Sequence, residues 1–66
     1  MIQRANEIAS QFERFAREEA IEGIRRHLEK FWEHPLREQL IGYVARGGEG
    51  LHELVIEAVK RLPVDA

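Results

Sequence analysis

Apolar residues in the first half of the chain recur at intervals of three and four, which gathers their side chains on one helical face. One set predicts a first helix, with Ile2, Ala5, Ile8, Ala9, Phe12 and Phe15. Another set predicts a second helix, with Ile21, Ile24, Leu28 and Phe31, and Trp32 beside them. The second set is rotated in phase, so one straight helix cannot present both sets to one core. We therefore expect a break or bend near Arg17.

Charged residues support a break at this point. Arg14 and Arg17 suit the negative C-terminal end of a helix, whereas the glutamates that follow suit the positive start of the next one. However, no Ser, Thr, Asp or Asn stands where the second helix would begin, and these are the usual N-cap residues. A single bent helix from Ile2 to Trp32 is therefore the alternative.

Pro35 separates the second helix from a third. It cannot continue a helix without the loss of a backbone hydrogen bond, but its fixed φ suits a first helical turn, and it disfavours helical geometry at His34. The apolar stripe of the third helix is Leu36, Leu40, Tyr43 and Val44. We expect this helix to end at Gly47-Gly48, because glycine readily takes the left-handed conformation of a helix C-cap.

A fourth helix is predicted after Gly50 and is closed by Pro63. Its stripe is Leu51, Leu54, Val55, Ala58, Val59 and Leu62. No strand pattern, repeat or linker interrupts the chain. The predicted fold class is all-α, with residues 1–66 forming a single domain of about four helices.

The length of the chain limits how it can be stabilised. A chain of 66 residues buries a thin core, and the absence of cysteine removes both a disulfide and a thiolate metal site. Small domains of this kind depend on well-packed helices, on self-association or on a partner protein. The isolated chain could therefore form a homo-oligomer.

Charge and the start of the chain narrow the possible functions. Ten Lys and Arg residues face twelve Asp and Glu residues, for a net charge of -2, and the two signs are mixed. A nucleic-acid partner requires a basic face and a membrane span requires a long apolar run, and the sequence predicts neither. We therefore expect no nucleic acid, no membrane and a cytoplasmic location. Glutamates also dilute the basic stripe of a possible helix-turn-helix: Arg25, Arg26, Lys30 and Arg37.

Residues that could carry chemistry have structural explanations in this chain. The histidines His27, His34 and His52 form no His-x-x-x-His pair, so we expect no metal site. The only Ser or Thr, Ser10, has no histidine three or four residues away to activate it. The glutamates are spaced for helix-surface ion pairs: Glu13 with Arg17, Glu22 with Arg26 and Glu57 with Arg61. Residues 47–50, Gly-Gly-Glu-Gly, predict a turn between helices. The chain is therefore not expected to be an enzyme by itself.

Phe31 and Trp32 are the most informative pair. Neighbouring positions on a helix point about 100° apart, so both rings cannot face one small core. One ring would then be left for a partner, and aromatic and Arg residues are the usual anchors of interfaces. The candidate interface residues are Phe31, Trp32 and Arg37. The structural alternative is that Trp32 packs across the corner between the second and third helices.

Four segments together carry a resemblance to a known family: Ala5-Asn6-Glu7-Ile8-Ala9, residues 23–32 (Gly-Ile-Arg-Arg-His-Leu-Glu-Lys-Phe-Trp), Arg37-Glu38-Gln39-Leu40, and residues 47–51 (Gly-Gly-Glu-Gly-Leu). In this order they resemble the delta subunit of the NAD-dependent formate dehydrogenases, from about Ile2 to Leu62. The family typically has an acid-Pro pair directly after the Trp, whereas here the proline stands one place later.

The resemblance implies an accessory subunit of a cytoplasmic complex that oxidises formate to carbon dioxide and reduces NAD. It implies that the partner is the large catalytic subunit, which carries a molybdenum or tungsten pterin cofactor and iron-sulfur clusters. Flavin and the NAD site would lie on other subunits, and no cofactor is expected in this chain. The subunit would support assembly or stability of the complex. The alternative function is a free-standing helical regulator or adaptor, self-associating or DNA-binding through a helix-turn-helix.

Overall fold

The computed structural model describes residues 1–62, which form four helices joined by short segments. The helices are α1 (Ile2–Gln11), α2 (Arg17–Phe31), α3 (His34–Ala45) and α4 (Glu53–Lys60). No strand is found within these residues, and none of the helices has both the length and the apolarity needed to cross a membrane. The predicted all-α class is confirmed, whereas the predicted stop at Pro63 lies outside the described residues.

The first two helices are separate, so the alternative of one bent helix is wrong. Ala16 has an extended backbone (φ -58°, ψ 152°), and its carbonyl accepts the first hydrogen bond of α2 from the N–H of Ala20 at 2.8 Å. This extended residue ends the helical path. Arg17 therefore begins α2, and does not complement the end of α1 as its charge suggested.

Phe15 corrects a second expectation from the same stripe. Because α1 already ends at Gln11, residues 12–16 turn away from the helical path, and the Phe15 side chain is 51% exposed. Phe12 keeps its place against the core and is partly buried. The first apolar stripe therefore contributes five of its six predicted members to the core region.

The core lies where α4 packs against each of the other three helices, most extensively against α2. Every member of the buried cluster is apolar: Ala5, Ile8, Ala9, Ile21, Ile24, Leu28, Trp32, Leu40, Leu51, Val55, Ala58, Val59 and Leu62. No polar or charged side chain is buried in the part of the chain that the structure describes. Three of the four predicted stripe residues of α2, all except Phe31, meet the stripe of α4 in one apolar core.

The corner between α2 and α3 begins one residue earlier than Pro35 suggested. Trp32 and Glu33 are extended (ψ 133° and 152°), and the Glu33 carbonyl accepts from the N–H of Arg37 at 3.0 Å. His34 is therefore the first residue of α3, and the expectation that it would lie outside the helix is wrong. A proline favours extended geometry at the residue before it, which here is His34. The extended residue is instead Glu33.

Gly23 of α2 leaves room for the ring of Phe12, the residue that directly follows α1. A Cβ atom at Gly23 would lie 2.7 Å from Cδ1 of Phe12, closer than real contacts allow. Gly42 in α3 provides a contrast, because a Cβ there would meet only a guanidinium nitrogen of Arg46 at an ordinary 3.5 Å. The two helical glycines therefore differ in whether a methyl group can be accommodated.

We predict that Gly23→Ala destabilises the fold although alanine favours helix. The added methyl displaces the Phe12 ring, and such overpacking costs about 1–3 kcal/mol. Gly42→Ala is the matched control and should stabilise by about 0.5–1 kcal/mol. The free energy of unfolding from urea titration checks both. Equal stabilisation by the two variants would show that the Phe12 ring does not depend on Gly23.

Candidate partner interface

The two adjacent aromatic residues at the end of α2 separate, but Phe31, which the spacing placed in the apolar stripe of the second helix, is the exposed one. Trp32 turns inward and is 9% exposed within the core cluster, whereas Phe31 is 64% exposed. Phe31 is the last residue of α2, and the extended backbone at Trp32 sends the next ring in a different direction. Phe31 is thus the member of the pair that a partner can reach.

The exposed Phe31 ring has ordered neighbours on its own helix. The ring of His27, one turn earlier, lies 4.8 Å away between centroids and is tilted by 48°. The ammonium group of Lys30 lies 5.4 Å from the centroid of the Phe31 ring. An aromatic and a cation therefore accompany the exposed ring.

Arg37, the third candidate, connects α3 to α2. Its guanidinium Nη1 donates to the backbone carbonyl of Glu29 at 3.1 Å, in the last turn of α2 where carbonyls lack helical partners. The side chain is partly buried. In this conformation Arg37 stabilises the corner that carries Phe31 and Trp32.

A groove that sequence reasoning missed lies beside the segment between α1 and α2. Its volume is about 480 Å³ and it is lined by Phe12, Phe15, Glu18, Glu19, Glu22, Gly23 and Arg26. The rings of Phe12 and Phe15 are 5.8 Å apart and form its apolar part. The predicted break near Arg17 was the available signal, because residues close to a break can lie beyond the last turn of the helix, as Phe15 does.

The glycine-rich segment forms the predicted turn between α3 and α4. The N–H of Gly47 donates to Val44 O and that of Gly48 to Tyr43 O, both at 3.0 Å, which is the Schellman pattern. Gly47 has the positive φ that this pattern requires (118°), and Gly50 has φ 86° in the next turn, closed by Leu51 N–H to Gly48 O. The Tyr43 hydroxyl donates to Glu49 O. The segment is thus a structural connection.

Asn6 of α1 holds this connection in place. Its Nδ2 donates to the Gly50 carbonyl at 3.0 Å, and its Oδ1 accepts from the backbone N–H of His52 at 2.8 Å. One amide side chain thus satisfies two backbone groups that lie 44 and 46 residues away. Sequence reasoning placed Asn6 only within a resembling segment, because no local signal reveals partners so distant.

His52 caps the N-terminus of α4. Its Nδ1 accepts from the N–H of Leu54 at 3.1 Å, which requires a neutral ring nitrogen at that position. Nε2 lies 3.8 Å from Oε1 of Glu13. The ring of His27 lies against Phe31, and His34 lies beside Glu38. Residues 1–62 contain no group of three or more His, Cys, Asp or Glu side chains that could hold a metal ion.

Arg17 and Arg61 form ion pairs between helices, whereas other observed pairs lie within one helix but differ from the predicted ones. Arg61 after α4 binds both oxygens of Glu18 (2.8 and 3.1 Å), and Arg17 binds Glu53 (2.8 Å). The predicted partners Glu13 and Arg17 stand on opposite sides of the break. Glu22 bonds Arg25 and Arg61, not Arg26, and Glu57 pairs with Lys60, not Arg61. The three predicted pairs are not found, because residues at another spacing on the same helix and residues of other helices bind the same groups.

These pairs also set the titration of two carboxyl groups. The hydrogen bond from Arg61 holds the pKa of Glu18 below its ordinary value of 4.5. The pKa of Glu22 is also lowered, first by its hydrogen bond with Arg25 and less by Arg61. Each shift therefore follows from an ion pair of the fold.

Comparison with known proteins adds a family match. A family model described as "NADH-dependant formate dehydrogenase delta subunit FdsD" matches residues 1–59 of the 66-residue chain. The matched span includes Asn6, the glycine-rich turn and Phe31. Searches against curated proteins and against solved structures gave no match.

We predict that Asn6→Ala destabilises the fold by about 1–3 kcal/mol, because it removes two hydrogen bonds worth about 0.5–1.5 kcal/mol each. Asn6→Asp should also destabilise, since a carboxylate can accept from His52 but cannot donate to Gly50. Urea unfolding followed by fluorescence of Trp32, the single tryptophan, measures both. Gln3→Ala, exposed on the same helix, is the control and should leave the unfolding midpoint unchanged.

We predict that the fold becomes less stable in acid because the stabilising contribution of the Arg61 ion pairs is lost there. A carboxyl group whose pKa is lowered on folding stabilises the protein above its unfolded pKa, near 4.5 for Glu18, and this contribution is lost as pH falls through the folded pKa. Arg61→Gln should raise the pKa of Glu18 toward 4.5 and flatten the decline of stability below that pH.

Carboxyl NMR titration of each variant checks this assignment. Arg25→Gln is the matched control, because it should raise the pKa of Glu22 and leave Glu18 nearly unchanged. An unaltered Glu18 titration in Arg61→Gln would contradict the role given to that pair.

Proposed function

We propose that this chain, which belongs to the FdsD family of NADH-dependent formate dehydrogenase delta subunits, is a non-catalytic accessory subunit of such a complex. In this role it supports assembly or stability of the large catalytic subunit in the cytoplasm. The molybdenum or tungsten pterin cofactor, the iron-sulfur clusters, the flavin and the NAD site belong to partner subunits. The family match over residues 1–59 is the observation that carries the proposal.

The surface of the domain is consistent with docking onto a larger protein. Phe31 remains largely exposed at one end of α2, and the groove beside Phe12 and Phe15 lies near the other end. Small domains gain stability when a partner covers apolar surface of this kind. Of the interface residues we proposed, Phe31 is available for direct contact. Trp32 and Arg37 would act mainly by holding the corner that presents it.

The polar groups with shifted pKa values have structural roles. Glu18, Glu22, Arg25 and Arg61 are the residues concerned, and each shift is caused first by a hydrogen bond within this ion-pair network. A group that serves catalysis is usually perturbed by burial or by a like charge in a pocket. These four residues thus contribute to the structure of the fold, in keeping with a non-catalytic role.

We predict that a tagged form of this chain, expressed in its own cells, copurifies with a formate dehydrogenase that contains molybdenum or tungsten. Deletion of the chain should lower the amount of assembled enzyme more than the amount of catalytic-subunit transcript. Subunit composition by mass spectrometry and the metal content of the purified complex are the measurements.

Two other outcomes would change the conclusion. If the enzyme assembles normally without the chain and the tag recovers none of it, the accessory role is wrong. If the chain binds only the metal-free catalytic subunit and is missing from the finished enzyme, it is an assembly factor and not a permanent subunit.

A further inference from the structure

We propose that one flank of α2 is the docking surface, and that the partner subunit meets it with an apolar pocket for Phe31 bordered by carboxylates. The α2 flank is defined here by Arg26, His27, Lys30 and Phe31 of α2, together with Phe15 of the segment that precedes this helix. This inference rests on the proposed function, and it adds the face that docks and the chemistry that recognises it.

Helical geometry places the flank on one side of α2. Gly23, His27 and Phe31 are four residues apart, so they form a row along the helix about 12 Å long. The Phe12 ring packs against Gly23 at one end of this row, and Phe15 lies beside it. The row therefore connects the apolar groove to the exposed Phe31 ring, and two of the exposed large hydrophobic side chains of residues 1–62 lie along it.

Charge identifies the partner's side of the contact. Arg25 is held by Glu22 and Glu29, and Arg61 by Glu18 and Glu22, so these cations are already neutralised. Arg26 and Lys30, one turn apart and both exposed, form no ion pair with any residue that the structure describes. Two neighbouring cations that have no ion pair and lie next to an aromatic anchor favour carboxylates on the opposing surface.

Of the three carboxylates that line the groove, two are already engaged in ion pairs. Glu18 and Glu22 are paired with Arg61 and Arg25, which leaves Glu19 at the opposite end of the flank from Lys30. The flank thus has an apolar groove at one end and a cationic aromatic end at the other. This polarity would fix the direction in which a partner segment lies along it.

The side chain of Phe31 is already held in place by neighbouring residues of α2. Its ring rests against His27 and beside the Lys30 ammonium group, within the last turns of α2. An anchor that is held in place before binding loses less conformational freedom on association. Aromatic anchors that fill a partner's pocket commonly dominate the affinity of an interface.

A second copy of this chain fits the flank less well than an acidic partner. A two-fold contact centred on Phe31 would bring the Lys30 side chains of both copies together, and like charges across an interface are unfavourable. The charge of the flank therefore favours a different, acidic surface, which we assign to the partner subunit of the proposed complex.

The test is recovery of the intact complex through a tagged chain in cells that express all subunits. We expect Phe31→Ala, and separately the double variant Arg26→Glu with Lys30→Glu, to lower the recovered catalytic subunit per tagged chain about tenfold or more. Phe31→Leu retains an apolar side chain and should fall between Phe31→Ala and the unaltered chain. Recovery of the unaltered chain should also decrease as salt in the wash increases, because opposite charges are screened.

Arg4→Glu on α1 is the charge-reversal control, since Arg4 is exposed, is not a residue of the flank and has no ion pair in residues 1–62. Circular dichroism and Trp32 fluorescence establish that each variant is folded before recovery is compared. Phe31, Arg26 and Lys30 lie outside the core, so their substitutions should preserve both signals.

The outcomes separate the two proposals. If the unaltered chain recovers no formate dehydrogenase, the proposed function is wrong. If the unaltered chain recovers the enzyme and all flank variants recover as much as Arg4→Glu, docking through the α2 flank is wrong and the proposed function stands. If Phe31→Ala instead disperses a self-association of the isolated chain and leaves recovery unchanged, a second copy covers the flank and the proposal is overturned.

Discussion

The amide side chain of Asn6 joins the first helix to the start of the last one. By bonding Gly50 O and the N–H of His52, it determines where α4 begins relative to α1. The position of α4 matters more than that of any other helix, because α4 contacts all three of the others. The core therefore depends on a polar contact between two segments more than forty residues apart.

The glycine-rich turn makes this contact possible from the other side. The Schellman bonds end α3 within one turn, and the positive φ at Gly50 directs its carbonyl toward Asn6. Gly48 lies so close to α4 that a Cβ would touch Ile56 at 3.3 Å. The turn and the amide thus form one connection, and His52 completes it by capping the helix that follows.

The number of helices and most of the core followed from apolar spacing, because burial imposes a period on each stripe that can be seen in the chain. Local spacing was less informative where tertiary neighbours decide. Phe15 continued the spacing of α1, but the helix had already ended, and His34 entered α3 despite the proline after it. The spacing of Arg61 predicted a pair with Glu57, but Arg61 forms ion pairs with Glu18 and Glu22 of α2. Helix geometry predicted that Phe31 and Trp32 would separate, but not which ring is buried, because α2 ends at Phe31 and Trp32 is extended. The groove at Phe12 depends on how two helices meet at Gly23.

The late place of α4 in the chain has a consequence for synthesis. The inner faces of α1, α2 and α3 all pack against residues 53–60, so none of these faces is fully covered before that segment leaves the ribosome. The high sequence separation of the contacts made by Asn6 has the same effect, since they cannot form on a shorter nascent chain. The apolar faces of α1, α2 and α3 therefore stay open to other molecules until the α4 segment has emerged.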